Sequence, residues 1–183
     1  MKKEKELKTE RLTLKPFSER DRERAIFLFK NEKISETYML PVLDTEEKSG
    51  ALFEKMVGMS SSDEYFCYGI YLGDVLIGWL NECGGDGTEV EIGYVIDPAY
   101  QGHGYATEAF GKAIEELFRQ GFERVTAGYF EGNDASRRVM KKCGLVSIDK
   151  TEYIEYRGAK RKCHYMAIEK QWTSKKNAWG TCS

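Results

Sequence analysis

Two glycines flank a histidine in the segment Gln101–Ala106, which reads QGHGYA. The segment follows a strand-like run and precedes a helix-like one. The first N–H groups of a helix lack partners within it and carry the positive end of its dipole, so they suit an anion. Gly102 and Gly104 have no Cβ atom, so a pyrophosphate could lie directly against the main chain. The glycines could equally serve only to turn the chain, and loop chemistry alone leaves both interpretations open.

A strand and a helix must position this loop. Residues 89–97 read EVEIGYVID and predict a strand, which Pro98 separates from the loop. Gly121 follows the last apolar position of the helix-like run, where a left-handed residue commonly ends a helix. The predicted unit is therefore strand, glycine loop and helix. The apolar positions that predict the helix step by three and four, and they are Ala106, Ala109, Phe110, Ala113, Ile114, Leu117 and Phe118.

Two motifs at a matching separation carry a family resemblance. QGHGYA fits the pattern Q/R-x-x-G-x-G/A, which marks the acyl-coenzyme A loop of the GNAT superfamily of N-acetyltransferases. Residues 133–145, NDASRRVMKKCGL, resemble the family's segment N-x-x-S-x-x-V-x-x-K-x-G-F. The residues around the loop are similar to those of the branch that acetylates ribosomal proteins. The resemblance is strongest over residues 89–145, and the order of elements from about Thr9 to Glu169 agrees with it.

The resemblance implies acetyl-coenzyme A (acetyl-CoA) as co-substrate and assigns main-chain roles to two segments. The end of the strand, Val95, Ile96 and Asp97, would pair with the pantetheine arm, since the family fold splays its parallel neighbours there. Asn133 would cap its helix and lie near the same arm. The loop residues whose amides would bind the pyrophosphate are Gln101, Gly102, His103, Gly104, Tyr105 and Ala106.

Acetyl transfer to an amine needs a base, and Glu91 is the predicted candidate, acting through water. Val90 and Ile92 share one face of the predicted strand, so Glu91 points to the other. Burial in a cleft would raise the pKa of this carboxyl and let it accept a proton. The alternative is a surface carboxylate or a partner for a basic side chain. Glu89 lies one pleat away and is the alternative base or an acceptor-binding acid.

The proton donor to the leaving thiolate is less evident. Many members of the superfamily place a tyrosine seven residues after the asparagine, and this chain has Met140 there. Ser136, which the ribosomal branch also carries, is the remaining candidate, although it could cap the helix or bind the cofactor instead. A CoA thiolate could also leave unprotonated, because a thiol pKa of about 8.5 is not far above neutral. Met140 also fits an alternative function, a non-catalytic module that binds or senses acyl-CoA.

The predicted fold is α/β (α+β), with a mixed, mostly antiparallel sheet of six to seven strands and about four helices, splayed between strands 4 and 5. Residues 65–97 predict a three-strand meander, turned at Gly73-Asp74 and at Gly84–Gly87. Asp44 and Glu47 predict the start of a helix ending near Met56, and residues 58–63 predict a loop. Strands at 11–15, 124–130, 146–156 and 162–168 complete the sheet.

Composition bounds the remaining possibilities. The chain has 183 residues, which fits one domain over residues 1–170 with an appendage at 171–183. A net charge of −2 gives no reason to expect nucleic acid or an anionic membrane as partner. Five cysteines without a C-x-x-C pair favour free thiols in a reducing compartment over a metal site. The N-terminus lacks a signal-like apolar core, and we expect a cytoplasmic monomer or homodimer.

The acceptor of the acetyl group is the least determined feature. A protein or peptide N-terminus follows from the branch that the chain resembles, and a small amine is the competing choice. Residues 34–43 and the basic turn at 157–162 are the segments that we expect to decide between them, and neither carries a recognisable code. Direct attack on the thioester is predicted over a covalent acetyl-enzyme, since no nucleophile has an evident partner.

Overall fold

The computed structural model describes residues 4–170, and the appendage predicted at 171–183 lies outside that range. Within the described residues, the chain forms one eight-stranded sheet with five α-helices. The strands are β1 (Leu7–Lys8), β2 (Leu12–Lys15), β3 (Cys67–Leu72), β4 (Val75–Asp86), β5 (Glu89–Ile96), β6 (Arg124–Phe130), β7 (Val146–Tyr156) and β8 (Ala159–Glu169). The helices are α1 (Arg22–Phe29), α2 (Glu32–Ser35), α3 (Glu46–Ser61), α4 (Tyr105–Gln120) and α5 (Asp134–Lys142).

The strand order is β1-β2-β3-β4-β5-β6-β8-β7, and every neighbouring pair is antiparallel except β5 with β6. The parallel pair follows from the connection, because α4 carries the chain across the sheet before β6 begins. The predicted mixed, mostly antiparallel fold is thus confirmed, with one strand more than expected. The additional strand is β1, whose two residues are too short to show a period in the sequence.

Helices cover both faces of the sheet. On one face α4 and α5 pack over inward residues of β5 such as Val90 and Ile92. On the other face α1 and α3 pack over Trp79 of β4 and Val95 of β5. Successive side chains of a strand point to opposite faces, so the predicted alternation along residues 90–96 is observed. Strand β5 is therefore buried from both sides where it approaches the glycine loop.

Three local predictions are wrong, and they concern the helix end near Met56, the loop at 58–63 and the turn at Gly84–Gly87. Helix α3 continues through Ser61, and its cap is Thr45, whose side chain accepts from the Lys48 N–H. The serines that suggested a loop are satisfied inside the helix, as Ser60 Oγ donates to the Val57 carbonyl at 3.0 Å and accepts the Phe17 N–H at 3.0 Å.

The turn expected at Gly84–Gly87 is shorter. Strand β4 continues through Asp86 past an irregularity between Glu82 and Gly84, and Gly85 pairs with Val90. A Cβ atom on Gly85 would lie 2.3 Å from the Glu89 carbonyl oxygen, so glycine is needed there for pairing and not for turning. In contrast, the predicted hairpin turn at Gly73-Asp74 is confirmed, with Gly73 at φ +59°.

Candidate active site

The site begins where β5 and β6 separate. Their parallel pairing covers only three residue pairs and ends at Glu91 with Thr126. Beyond it, the Asp97 N–H donates to the Ile77 carbonyl of β4 at 2.7 Å. Main-chain groups of alternate residues point to opposite neighbours, so those of Val95 also face β4, whereas those of Ile96 face the gap. The splay predicted after the strand carrying Glu91 is present, and it leaves one edge of β5 open.

The glycine loop closes the end of this gap. Gly102 and Gly104 both adopt the left-handed conformation, at φ +83° and +84°, which favours glycine. The first bond of α4 runs from the Glu108 N–H to the Gly104 carbonyl at 3.1 Å. The N–H groups of residues 105–107 therefore precede the helical ladder and face outward from its first turn. Gln101 is tied to the strand, since its Nε2 donates to the Ile96 carbonyl at 2.9 Å.

A cavity of about 380 Å³ joins the loop, the open edge of β5 and the first turns of α5. Lys33, Ile34 and Thr37 line it from the α2 side, and α5 lines it from the opposite face of the sheet. The cavity therefore passes through the gap between β5 and β6. The predicted site residues that it brings together are Val95, Ile96, Gln101, Gly102, Gly104, Tyr105, Ala106, Asn133 and Ser136.

Asp97 and His103 are the two predicted cofactor-binding residues that do not line the cavity. The Asp97 side chain is buried, forms an ion pair with Arg24 of α1, and accepts the Ala99 N–H at 2.9 Å. It therefore holds the turn between β5 and the loop. His103 is exposed and stacks on Tyr105, with ring centroids 5.6 Å apart. A cofactor contact by either residue stays a prediction.

Asn133 and Ser136 bond to each other at the start of α5. The Ser136 N–H donates to Asn133 Oδ1 at 3.2 Å, and Asn133 Nδ2 donates to Ser136 Oγ at 3.1 Å. Asn133 thus caps the helix as predicted. Because Ser136 Oγ accepts a bond there, its own proton remains available to another acceptor. Tyr94 supports this turn from β5, since its hydroxyl donates to the Ser136 carbonyl at 3.1 Å.

Glu91 is half-buried on the sheet face that α1 and α3 cover further along the strand. Burial raises the pKa of its carboxyl, and the negative charges of Glu152 and Glu89 act in the same direction. Lys150 opposes them without reversing the shift. The group therefore has the elevated proton affinity expected of a base, while its catalytic role stays a prediction.

Two segments meet over this face. The Tyr156 hydroxyl of β7 accepts the Leu40 N–H at 3.2 Å and donates to the Tyr38 carbonyl at 3.3 Å. Arg161 of β8 donates to the Glu36 carbonyl. Residues 34–43 and the 157–162 turn were predicted to decide the acceptor, and the structure brings them into contact.

The sequence falls within one family by direct comparison. Residues 11–146 match the family described as the Acetyltransferase (GNAT) domain. The uncharacterized N-acetyltransferase YnaD of Bacillus subtilis (strain 168) is 32% identical over 140 residues, which make up 75% of this chain and 80% of YnaD. The chain belongs to the GNAT acetyltransferase family.

Solved structures share the fold of this GNAT domain. An acetyltransferase of the GNAT family from Bacillus anthracis matches with a TM-score of 0.79 and 24% identity, covering 91% of this chain and 99% of its own. RimJ of Mycobacterium smegmatis, in complex with CoA-disulfide, matches with a TM-score of 0.74 and 20% identity, covering 88% and 83%. These likenesses show the fold.

Met140 occupies the position where many members of the superfamily have a tyrosine. Its side chain is 1% exposed and packs in the core beneath α4 and α5. Met140 therefore serves as a core residue, and its side chain has no group that can donate a proton. Ser136, one turn earlier on α5, lines the cavity and carries a hydroxyl.

The sequence reasoning missed several cavity residues of this GNAT domain. Lys33, Arg138 and Lys142 all line the cavity and are exposed. The spacing of Arg138 and Lys142, four residues apart, could have placed them on one side of α5. Lys33 had no such signal, because its helix is four residues long. Among residues 4–170 no cluster of His, Cys, Asp or Glu could hold a metal ion, and no helix is long and apolar enough to cross a bilayer.

Proposed function

We propose that this GNAT acetyltransferase moves the acetyl group of acetyl-CoA to a primary amine by direct attack. The observation that carries the proposal is the continuous cavity from the glycine loop to the open edge of β5. The pyrophosphate would bind the free amides at the start of α4, where the dipole favours an anion. The pantetheine arm would use the main-chain N–H of Ile96, which faces the gap, because the Ile96 carbonyl already accepts a bond from Gln101 Nε2.

Glu91 is proposed as the base, acting through one water. It lies at the last paired position before the gap and does not itself line the cavity, whose lining on β5 begins three residues later at Tyr94. A primary ammonium must lose a proton before it attacks, and a carboxylate with a raised pKa accepts that proton more readily. The attacking nitrogen and the carbonyl carbon form a bond, and the carbon–sulfur bond then breaks to release CoA.

Ser136 is proposed to protonate or hydrogen-bond the leaving thiolate. Its hydroxyl lines the cavity, and the bond from Asn133 Nδ2 fixes the oxygen in place. A thiol with a pKa of about 8.5 needs only modest assistance near neutral pH, so the effect of Ser136 on rate should be small.

The acceptor is proposed to be a protein or peptide N-terminus, with a small amine as the competing substrate. It would enter between residues 36–40 and the β7–β8 hairpin, which meet through Tyr156 and Arg161. The branch resemblance favours the peptide. A panel of short peptides with free or blocked N-termini, together with polyamines and amino acid derivatives, separates the two classes.

Thiol release in the presence of that panel tests the function directly. Release that requires both acetyl-CoA and an amine supports the enzyme. CoA binding by calorimetry without release across the whole panel supports the alternative, a non-catalytic acyl-CoA module, which the buried Met140 favours. Absence of CoA binding at millimolar concentration would contradict both.

A further inference from the structure

Arg11 crosses the junction between the glycine loop and α4. It stands just before β2, and its Nη1 donates to the His103 carbonyl at 3.0 Å. Its Nη2 would lie 3.5 Å from a Cβ atom on Gly104, and its guanidinium carbon is 4.7 Å from the Tyr105 ring centroid. One side chain from the N-terminal segment therefore contacts three consecutive residues of the proposed pyrophosphate site.

The same side chain holds the carboxylate of Glu108, which lies in the first turn of α4. Arg11 Nε and Nη2 approach Glu108 Oε2 at 2.8 and 2.6 Å, and the Arg11 N–H donates to Oε1 at 2.8 Å. Thr9 Oγ1 donates to Oε1 at 2.5 Å. Although burial acts to raise the pKa of Glu108, these bonds lower it overall, so the group is an anion.

An acidic side chain in the first helical turn competes with a bound anion. It is attracted to the same N–H groups and the same end of the dipole, and it repels a neighbouring phosphate. In this structure the carboxylate of Glu108 is turned toward Thr9 and Arg11 and is neutralised there. The free amides of residues 105–107 are consequently left to a ligand.

We propose that Arg11 is a positioning residue for acetyl-CoA: it fixes the turn at residues 103–105 and keeps Glu108 away from the helix N-terminus. The proposal rests on the proposed function, since it assigns the loop to the pyrophosphate. The N-terminal segment is then part of the binding machinery, although it contributes no atom to the cavity lining.

The test measures CoA affinity by calorimetry and separates KM for acetyl-CoA from kcat. Arg11→Gln should weaken CoA binding by about tenfold, because it leaves the Glu108 charge unneutralised beside the helix N-terminus. KM for acetyl-CoA should rise in step while kcat at saturation stays within about twofold. Arg11→Lys keeps the charge without the fork and should give an intermediate affinity.

Glu108→Gln in the Arg11→Gln background distinguishes positioning from general destabilisation. Removing the unneutralised charge should restore at least half of the binding free energy that Arg11→Gln loses. If Arg11→Gln acted only by destabilising the fold, the double variant would bind CoA no better than Arg11→Gln alone. Arg22→Gln is the matched control, because Arg22 also pairs with glutamates and its side chain is 41% exposed, against 42% for Arg11. Arg22 contacts Glu19, Glu54 and the Phe53 ring, none of which lines the cavity, so Arg22→Gln should bind CoA as wild type does.

Wild-type affinity in Arg11→Gln, or no rescue by Glu108→Gln, would overturn the proposal. Failure of the wild-type protein to bind CoA would instead overturn the proposed function. Hydrogen exchange at the Glu108 N–H, which donates to the Gly104 carbonyl, still reports on positioning in that case, and faster exchange in Arg11→Gln than in Arg22→Gln is the expected result. Equal exchange in the two variants would contradict the role of Arg11 independently of any ligand.

Discussion

Tyr38 lies directly over Gly93 of β5. A Cβ atom on Gly93 would lie 2.8 Å from Tyr38 Cε2, and the Tyr38 hydroxyl donates to Asn81 Oδ1 at 2.7 Å. Gly93 stands between Glu91 and Val95 on the same face of the strand, so the aromatic ring rests between the proposed base and the cavity. The absence of a side chain at residue 93 is what allows the segment 36–40 to approach the sheet.

Gly93→Ala should displace Tyr38 and disturb the acceptor side of the site. We expect a loss of stability of about 1–3 kcal/mol from overpacking and a lower kcat/KM for the amine. Gly58→Ala is the control, since a Cβ atom there meets nothing within 4 Å. That helical substitution should stabilise the protein by about 0.5–1 kcal/mol. Chemical denaturation and amine kinetics measure both effects, and unchanged amine kinetics in Gly93→Ala would separate Tyr38 from the acceptor site.

Glu91→Gln should lower kcat by about 10²-fold or more, as expected for removal of a general base. Because the carboxylate is the active form and its pKa is raised, wild-type kcat/KM should rise with pH through that pKa. The variant should lose this limb of the profile. Glu89→Gln on the same face should keep it, and the opposite result would transfer the role of base to Glu89.

The same shift predicts a change in stability. A carboxyl whose pKa is higher in the folded protein binds its proton more tightly there. Its stabilising contribution to the free energy of unfolding is therefore fully present below the unfolded pKa of about 4.3. The contribution is lost as pH rises through the raised folded value. At neutral pH the buried charge of Glu91 therefore opposes folding, and Glu91→Gln should be at least as stable as wild type. Urea unfolding at pH 7 tests this, and a destabilised variant would indicate that the carboxylate is favourably paired.

Ser136→Ala separates leaving-group assistance from cofactor binding. The cap of α5 should survive, since it uses the Ser136 N–H and Asn133 Oδ1, and the thermal midpoint should change little. A lower kcat with unchanged KM for acetyl-CoA is the expected result. A raised KM with unchanged kcat would make Ser136 a binding residue. Asn133→Ala removes the cap itself and should cost about 1 kcal/mol of stability.

Arg24→Ala should destabilise the approach to the loop. Arg24 pairs with the buried Asp97 and donates from Nε to the Leu76 carbonyl at 3.0 Å. Without it Asp97 would be a buried, uncompensated charge, which costs about 2–3 kcal/mol after allowance for the partial exposure of Arg24. Arg22→Ala on the same helix removes exposed pairs and should change stability by less than about 1 kcal/mol. Equal losses in urea unfolding would contradict a special role for Asp97.

Local patterns predicted the elements around the loop with accuracy. The helix after Gly104 ends at Gly121, which is left-handed at φ +103°, because apolar spacing and glycine chemistry are properties of neighbouring residues. Where burial overrode local preference, prediction was wrong. The serines near the end of α3 are typical of a loop, yet Ser60 is buried within the helix, where its hydroxyl donates to the Val57 carbonyl and accepts the Phe17 N–H.

The sequence by itself determined the family, the position of the glycine loop before α4 and the cap at Asn133, since each depends on residues close together in the chain. Only the tertiary structure showed that Arg11 and Glu108 meet across 97 positions, that Tyr38 covers Gly93, and that Met140 is buried. These relationships depend on how strands and helices pack, and one sequence carries no period or spacing that records which distant side chains will be neighbours.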